Sequence, residues 1–140
     1  MVEVFLDKYL EGKIADQEKR KNITMAEFKE VVGVNLILTG SDLNDQVLRI
    51  FTAKTTPKLP VKFACRMSAG FPFFFPPVYW QPSWGLYLEK EKLDNHKFVD
   101  GGLILNLPTM LLSSSEYFLK KYIGCEAIPN DSIIAFSFVK

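Results

Sequence analysis

Apolar and polar positions change period several times along this chain. Val4, Phe5, Tyr9 and Leu10 fall at helical spacing within residues 1–11, and Gly12 follows as a stop. Residues 12–22 are polar and read as a loop. Thr24-Met25-Ala26-Glu27 is a capping box: the Thr24 hydroxyl takes the Glu27 amide and the Glu27 carboxylate reaches back. Met25, Phe28, Val31 and Val32 then repeat at helical spacing up to Gly33, a suitable C-cap. Leu36-Ile37-Leu38 reads as a buried strand and Val47–Phe51 as a second. Turn chemistry at Gly40-Ser41-Asp42 and Asn44-Asp45 separates them, so the two are expected to pair as a hairpin-like unit.

Thr55-Thr56-Pro57 through Pro60 reads as a linker. Val61, Ala64, Cys65 and Ser68 share one face of a short helix that Gly70 and Pro72 end. Phe71 to Trp84 is aromatic and proline-rich, hence extended and unable to serve as a central strand. Residues 89–97 are charged and read as exposed. Leu107, Leu111, Ser114, Phe118 and Tyr122 mark one stripe of a helix opened near Pro108. Ile133 to Val139 alternates loosely, as a final strand does. Helices and strands interleave, which argues for an α/β fold. Residues 1–23 read as an N-terminal helix and loop, and residues 24–140 as the main body.

Composition narrows the choices. The 140 residues suffice for one domain, and 48% apolar content is that of a globular chain. A net charge of +1, with acids and bases alternating over residues 1–30, gives no reason to expect a nucleic-acid partner. Cys65 and Cys125 are too few and too far apart for a disulfide scaffold or a zinc site, and fit small hydrophobes in a reducing compartment. The N-terminus carries Glu3 and Asp7 and does not read as a secretory signal. The longest apolar run, Met67 to Trp80, is broken by Pro72, Pro76 and Pro77 and is too short to span a bilayer. The expected location is cytoplasmic, with room for peripheral attachment to membranes.

Candidate chemistry centres on Phe98-Val99-Asp100-Gly101-Gly102, followed by Asn106-Leu107-Pro108. This places a carboxylate at the end of a strand, on a Gly-Gly turn, before a helix. Taken alone, Asp-Gly-Gly is a turn that caps the next helix. A serine on a Gly-x-Ser-x-Gly elbow is the usual partner of such a carboxylate in acyl hydrolases, and that motif is absent from the 140 residues. His96, the one histidine, is the only possible relay of a Ser-His-Asp triad, and its charged neighbours place it on a solvated loop. Ser68 and Ser41 lack elbow geometry in their neighbours, and Ser68 reads as structural. Arg66 reads as a buried ion-pair partner or as a cation steering an anionic head group, the first being favoured. Phe71, Phe73, Phe74, Phe75, Tyr79, Trp80 and Trp84 form either core and acyl-pocket wall, the favoured reading, or a lipid-facing patch. No metal-ligand spacing, phosphate loop or nucleotide fingerprint occurs.

Three stretches together resemble the patatin-like phospholipase family. The first is Asn35–Asn44 with Phe51 and Thr55-Thr56-Pro57; the second is Leu59-Pro60-Val61 to Arg66-Met67-Ser68-Ala69-Gly70-Phe71-Pro72 and Phe75-Pro76-Pro77-Val78; the third is Val99-Asp100-Gly101-Gly102 with Asn106-Leu107-Pro108. The resemblance implies part of a three-layer, α/β-hydrolase-like sandwich and a Ser-Asp dyad that acts on phospholipids or other acyl glycerides without a cofactor or metal. Onto this sequence it carries Asp100 as the general base, with Gly101 and Gly102 shaping its turn. Phe71, Phe73, Phe74, Phe75 and Trp80 become candidates for an acyl pocket or lipid-facing surface. In the family the nucleophile and the oxyanion glycines lie N-terminal to everything here. The isolated chain is therefore expected to be inactive, with lipid or membrane as partner; it is expected to be the product of a truncated gene, part of a longer gene, or one half of a split enzyme whose nucleophile a complementing chain supplies. The alternative is a non-catalytic relic of the fold that binds lipid surfaces or a protein.

Overall fold

A computed structural model describes residues 2–105 and 109–126. Asn106, Leu107, Pro108 and the strand expected over Ile133–Val139 lie outside these residues. In chain order the elements are helices α1 (Val2–Leu10), α2 (Gln17–Lys21) and α3 (Met25–Val32), strands β1 (Leu38–Asp42) and β2 (Val47–Phe51), helix α4 (Val61–Ala69), strands β3 (Val78–Tyr79) and β4 (Lys97–Asp100), and helices α5 (Thr109–Leu112) and α6 (Glu116–Phe118). The fold is α/β. Its four-stranded sheet has the order β2-β1-β4-β3, with every pair antiparallel.

The N-terminal helix forms where the spacing predicts, but it buries a different stripe. Leu6 and Leu10, four residues apart, enter the core, while Val4, Phe5 and Tyr9 stay exposed. Phe5 stacks on Tyr9, and Tyr9 on Phe28 of α3, so the aromatic side is held from outside. The polar stretch 12–22 contains α2, which has no apolar period to betray it. Asp16 caps it by accepting the Lys19 amide at 3.1 Å. Arg20 then fastens α2 to α1: its Nε lies 2.7 Å from Asp7 Oδ1 and its Nη1 donates to the Ile14 and Ala15 carbonyls. The charges of this region are thus a buried clamp in part, not only a solvated face. The capping box on α3 is present in both directions, and Gly33 ends the helix at φ 76°.

The first strand lies further along than its apolar residues suggest. Leu38 opens β1, and Thr39-Gly40-Ser41-Asp42, which carry turn chemistry, are its body. They are buried between β2 and β4, and the backbone pairing on both sides outweighs their weak strand preference. Gly40 is required here: a Cβ would lie 2.7 Å from the Phe51 ring. The proline-rich segment contributes only two-residue β3, at the sheet edge, as proline demands. Tyr87 covers the free edge of β2 by exchanging hydrogen bonds with both the N–H and the C=O of Ile50.

The core gathers where α4 lies on the sheet. Val61, Ala64 and Met67 form the buried face of α4, and Cys65 and Ser68 are only half-buried. Below them Phe51, Trp80 and Phe98 meet with centroids 5.7–6.4 Å apart, and Trp84 packs edge-on to Trp80 at 5.4 Å. Each such ring contributes about 1.5–3 kcal/mol by leaving water. The segment Thr52–Thr56 is a buried brace rather than a linker: Thr55 donates to the Ile50 carbonyl at 2.6 Å and Thr52 to the Tyr122 carbonyl at 2.6 Å. The single C-terminal helix expected from the stripe Leu111 to Tyr122 is broken. α5 stops at Leu112, Ser115 caps a new start by accepting the Phe118 amide, and a π-turn over Leu119–Ile123 ends at Gly124.

Candidate active site

Asp100 is the last residue of β4 and sits opposite Gly40 of β1. Its backbone is held on both sides. The N–H donates to the Gly70 carbonyl at 3.1 Å, and the C=O accepts from the buried Ser41 hydroxyl at 2.8 Å. The side chain is half-buried. Oδ1 accepts the Gly102 amide at 2.8 Å, and Oδ2 has no protein donor among the described residues. Gly101 explains the double glycine: a Cβ there would collide with the Thr39 hydroxyl and lie 2.6 Å from the Thr39 carbonyl oxygen. The turn therefore presses its backbone onto β1.

Neither serine weighed as a nucleophile donates to the Asp100 carboxylate among the described residues. Ser41 spends its hydroxyl on the Asp100 carbonyl, so its contact with Asp100 is through the backbone. Ser68 is half-buried on α4. Burial pushes the Cys65 thiol up, away from the thiolate that attack requires. Arg66 is exposed on the last turn of α4, which overturns its reading as a buried ion-pair partner.

His96 is held by a buried carboxylate rather than lying free on a solvated loop. It lies beside β4, and its Nδ1 is 2.9 Å from Oδ2 of the fully buried Asp42 carboxylate. Its ring is thus engaged far from Asp100, at the opposite end of the β1–β4 pair. Burial alone would raise the Asp42 carboxyl, but the His96 bond and the amides of Asn44 and Asp45 outweigh it and hold it below the ordinary carboxylate value. Arg49, itself buried, donates Nε to Asp42 at 3.3 Å, reaches Asp45, and makes a two-pronged contact with Glu91 at 2.6 and 2.7 Å. Arg49 also lies 5.1 Å over the Tyr87 ring, whose phenol burial pushes up to about 12. Asp42, Asp45 and His96 bring three ligand atoms within 4.8 Å, a grouping the sequence spacing does not announce. The Arg49 guanidinium already supplies the positive charge that a cation would bring there, so the cluster reads as an ion-pair network. It joins residues 42, 45, 49, 91 and 96, a separation no local motif signals.

The aromatic run divides. Trp80 and Trp84 are core, so Trp80 cannot face lipid. Phe71, Phe73, Phe74 and Phe75 are 47–101% exposed, against the favoured reading of the run as core. Two open clefts, of about 420 and 690 Å³, are lined by residues around Lys54, Tyr87 and Lys121 and around Ala26, Lys54 and Cys125; neither includes Asp100.

The patatin-like phospholipase family model matches residues 2–113. The chain belongs to that family. It is similar to an uncharacterized protein, R571, of Acanthamoeba polyphaga mimivirus: 31% identical over 119 residues, covering 85% of this chain and 33% of the relative. It is also similar to a probable lipid hydrolase, 463L, of Invertebrate iridescent virus 6: 29% identical over 101 residues, covering 72% of this chain and 30% of the relative. The chain thus spans about a third of the length of the curated relatives it matches. No solved structure matches. Among the described residues, no helix is long and apolar enough to cross a membrane.

Proposed function

We infer that Asp100 is the general base of a Ser-Asp dyad in a lipid acyl hydrolase, and that its nucleophile comes from outside these 140 residues. The observation that carries the reading is the Asp100 carboxylate itself. One oxygen is fixed by the Gly102 amide and the other has no donor among the described residues, on a turn that Gly101 seats against β1. A fixed carboxylate with a free oxygen can take a serine proton as the hydroxyl attacks an ester carbonyl. A lipid substrate is supported by the family and by the probable lipid hydrolase among the relatives. A dyad of this kind needs no cofactor or metal. Without the nucleophile and the oxyanion donors, the 140 residues alone turn over no ester. The protein works in the cytoplasm, at or near membranes.

The test is ester hydrolysis by the 140-residue protein and by the same chain joined to any coding sequence found upstream that carries Gly-x-Ser-x-Gly. Each form is made with Asp100 and with Asp100→Asn. The chain alone is expected to match buffer. The joined form is expected to hydrolyse ester and to lose about 10³–10⁴-fold on Asp100→Asn, the scale of removing one member of a catalytic set. Equal rates from the two joined forms would overturn the role of Asp100.

A further inference from the structure

We propose that the Phe71–Phe75 loop is a wedge that enters the surface of an anionic lipid bilayer. The inference stands apart from the acyl-hydrolase reading, since it uses no property of Asp100 as a base. Its first support is exposure: Phe73 is 101% exposed, Phe74 79%, Phe75 55% and Phe71 47%. Phe71 and Phe74 pack on each other at 6.1 Å, so the rings form one apolar tip. Phe73, at that tip, holds φ 78°, a left-handed backbone that a bulky residue rarely adopts. No charged residue occurs between Arg66 and Glu89.

The backbone favours lipid over a protein partner. The amides of Phe71, Phe74 and Phe75 are bonded within the loop, to Ala69, Phe71 and Phe71 carbonyls. Pro72, Pro76 and Pro77 have no amide hydrogen. Phe73 alone in residues 71–77 keeps an N–H without a partner among the described residues, so the loop can leave water with little unmet hydrogen bonding. The tip also has no tyrosine hydroxyl, indole or guanidinium, the polar handles typical of a protein hot spot.

Two exposed cations flank the loop's base and outnumber the Asp100 carboxylate at its root, a balance that fits an anionic surface. Arg66 is exposed on the turn of α4 that leads into the loop. Lys97 is exposed on β4, with its Nζ 6.0 Å over the half-exposed Tyr79 ring just after the loop. Aromatic and basic groups behind an apolar tip are the arrangement that suits the headgroup layer. Because the Asp100 amide is bonded to Gly70 at the loop's root, insertion brings that end of the sheet to the bilayer.

The test is vesicle binding by the 140-residue protein, read without any hydrolysis and so separable from the dyad's fate. Trp80 and Trp84 are buried and give a constant background, so Phe73→Trp reports the tip. Mixed phosphatidylcholine–phosphatidylglycerol vesicles are expected to shift its emission to the blue. In flotation, Phe73→Ser with Phe74→Ser is expected to weaken binding at least about tenfold. Arg66→Gln with Lys97→Gln is expected to remove the preference for phosphatidylglycerol and the salt dependence. All four side chains are exposed, and far-ultraviolet circular dichroism confirms that each variant folds. No blue shift on these vesicles, or flotation unchanged by the serine pair, would overturn the wedge and leave the loop as a protein-docking surface.

Discussion

The β1–β4 pair carries one aspartate at each end, and the two ends are opposite in character. Asp42 closes β1 and is saturated: Arg49, His96 and two backbone amides all converge on a carboxylate with no solvent exposure. Asp100 closes β4 and is spare, with one amide on one oxygen and, among the described residues, no donor on the other. Both carboxylates end strands in an antiparallel pair, so the difference comes from what surrounds each end. A carboxylate whose every lone pair is claimed can hold a fold together but cannot accept a proton from a substrate. One left half-claimed contributes little to stability and remains free to do chemistry. The richest cluster of charge in the molecule is thus the structural one, and the plainer turn is the candidate site.

Substitutions at the two ends should separate these roles. Arg49→Met leaves Asp42 buried without its guanidinium partner, and is expected to cost about 3 kcal/mol in urea unfolding, at the low end for a broken buried pair because His96 remains. A loss under about 0.5 kcal/mol would mean the network is ornamental. Gly101→Ala drives a methyl into the Thr39 backbone and is expected to cost about 2 kcal/mol by overpacking, measured the same way. A neutral result would show that the turn does not seat on β1 as described.

The pH dependence of stability tests the saturated end. The Asp42 carboxyl is held below its ordinary value in the folded chain. Its contribution is therefore fully present above the unfolded-state value of about 3.9 and is lost as pH falls through the lower folded value. Urea midpoints for the protein and Asp42→Asn are expected to converge as pH falls from neutral into that acid range. Parallel curves would assign the acid sensitivity elsewhere. The smallest effect is expected at the spare end: Asp100→Asn keeps the acceptor for the Gly102 amide and should change stability by less than about 0.5 kcal/mol. A loss comparable to that of Arg49→Met would erase the distinction between the two ends.

What the sequence made legible follows from which forces are local. The capping box at Thr24–Glu27, the Gly33 stop, the α4 helix and the exclusion of the proline-rich run from the sheet centre are local rules, and all are found. The Asp-Gly-Gly turn was readable for the same reason. Asp42 with His96 was not, because the contact spans 54 residues and exists only once β1 and β4 pair. The body of β1 was hidden because Thr39-Gly40-Ser41-Asp42 looks like a turn until strands on both sides claim its backbone. The exposure of Phe71–Phe75 is not legible in the sequence, since composition alone assigns phenylalanine to a core, and only the fold shows Trp80, Phe98 and Phe51 already filling it.

The most direct test of Asp100 as a base without its nucleophile is fluorophosphonate labelling of the purified 140-residue protein, read by intact mass beside Asp100→Ala. No adduct on either form is the expected result, because Ser41 spends its hydroxyl on the Asp100 carbonyl and, among the described residues, neither Ser41 nor Ser68 donates to the Asp100 carboxylate. A stoichiometric adduct that disappears in Asp100→Ala would contradict it, and would place an Asp100-activated serine within these residues.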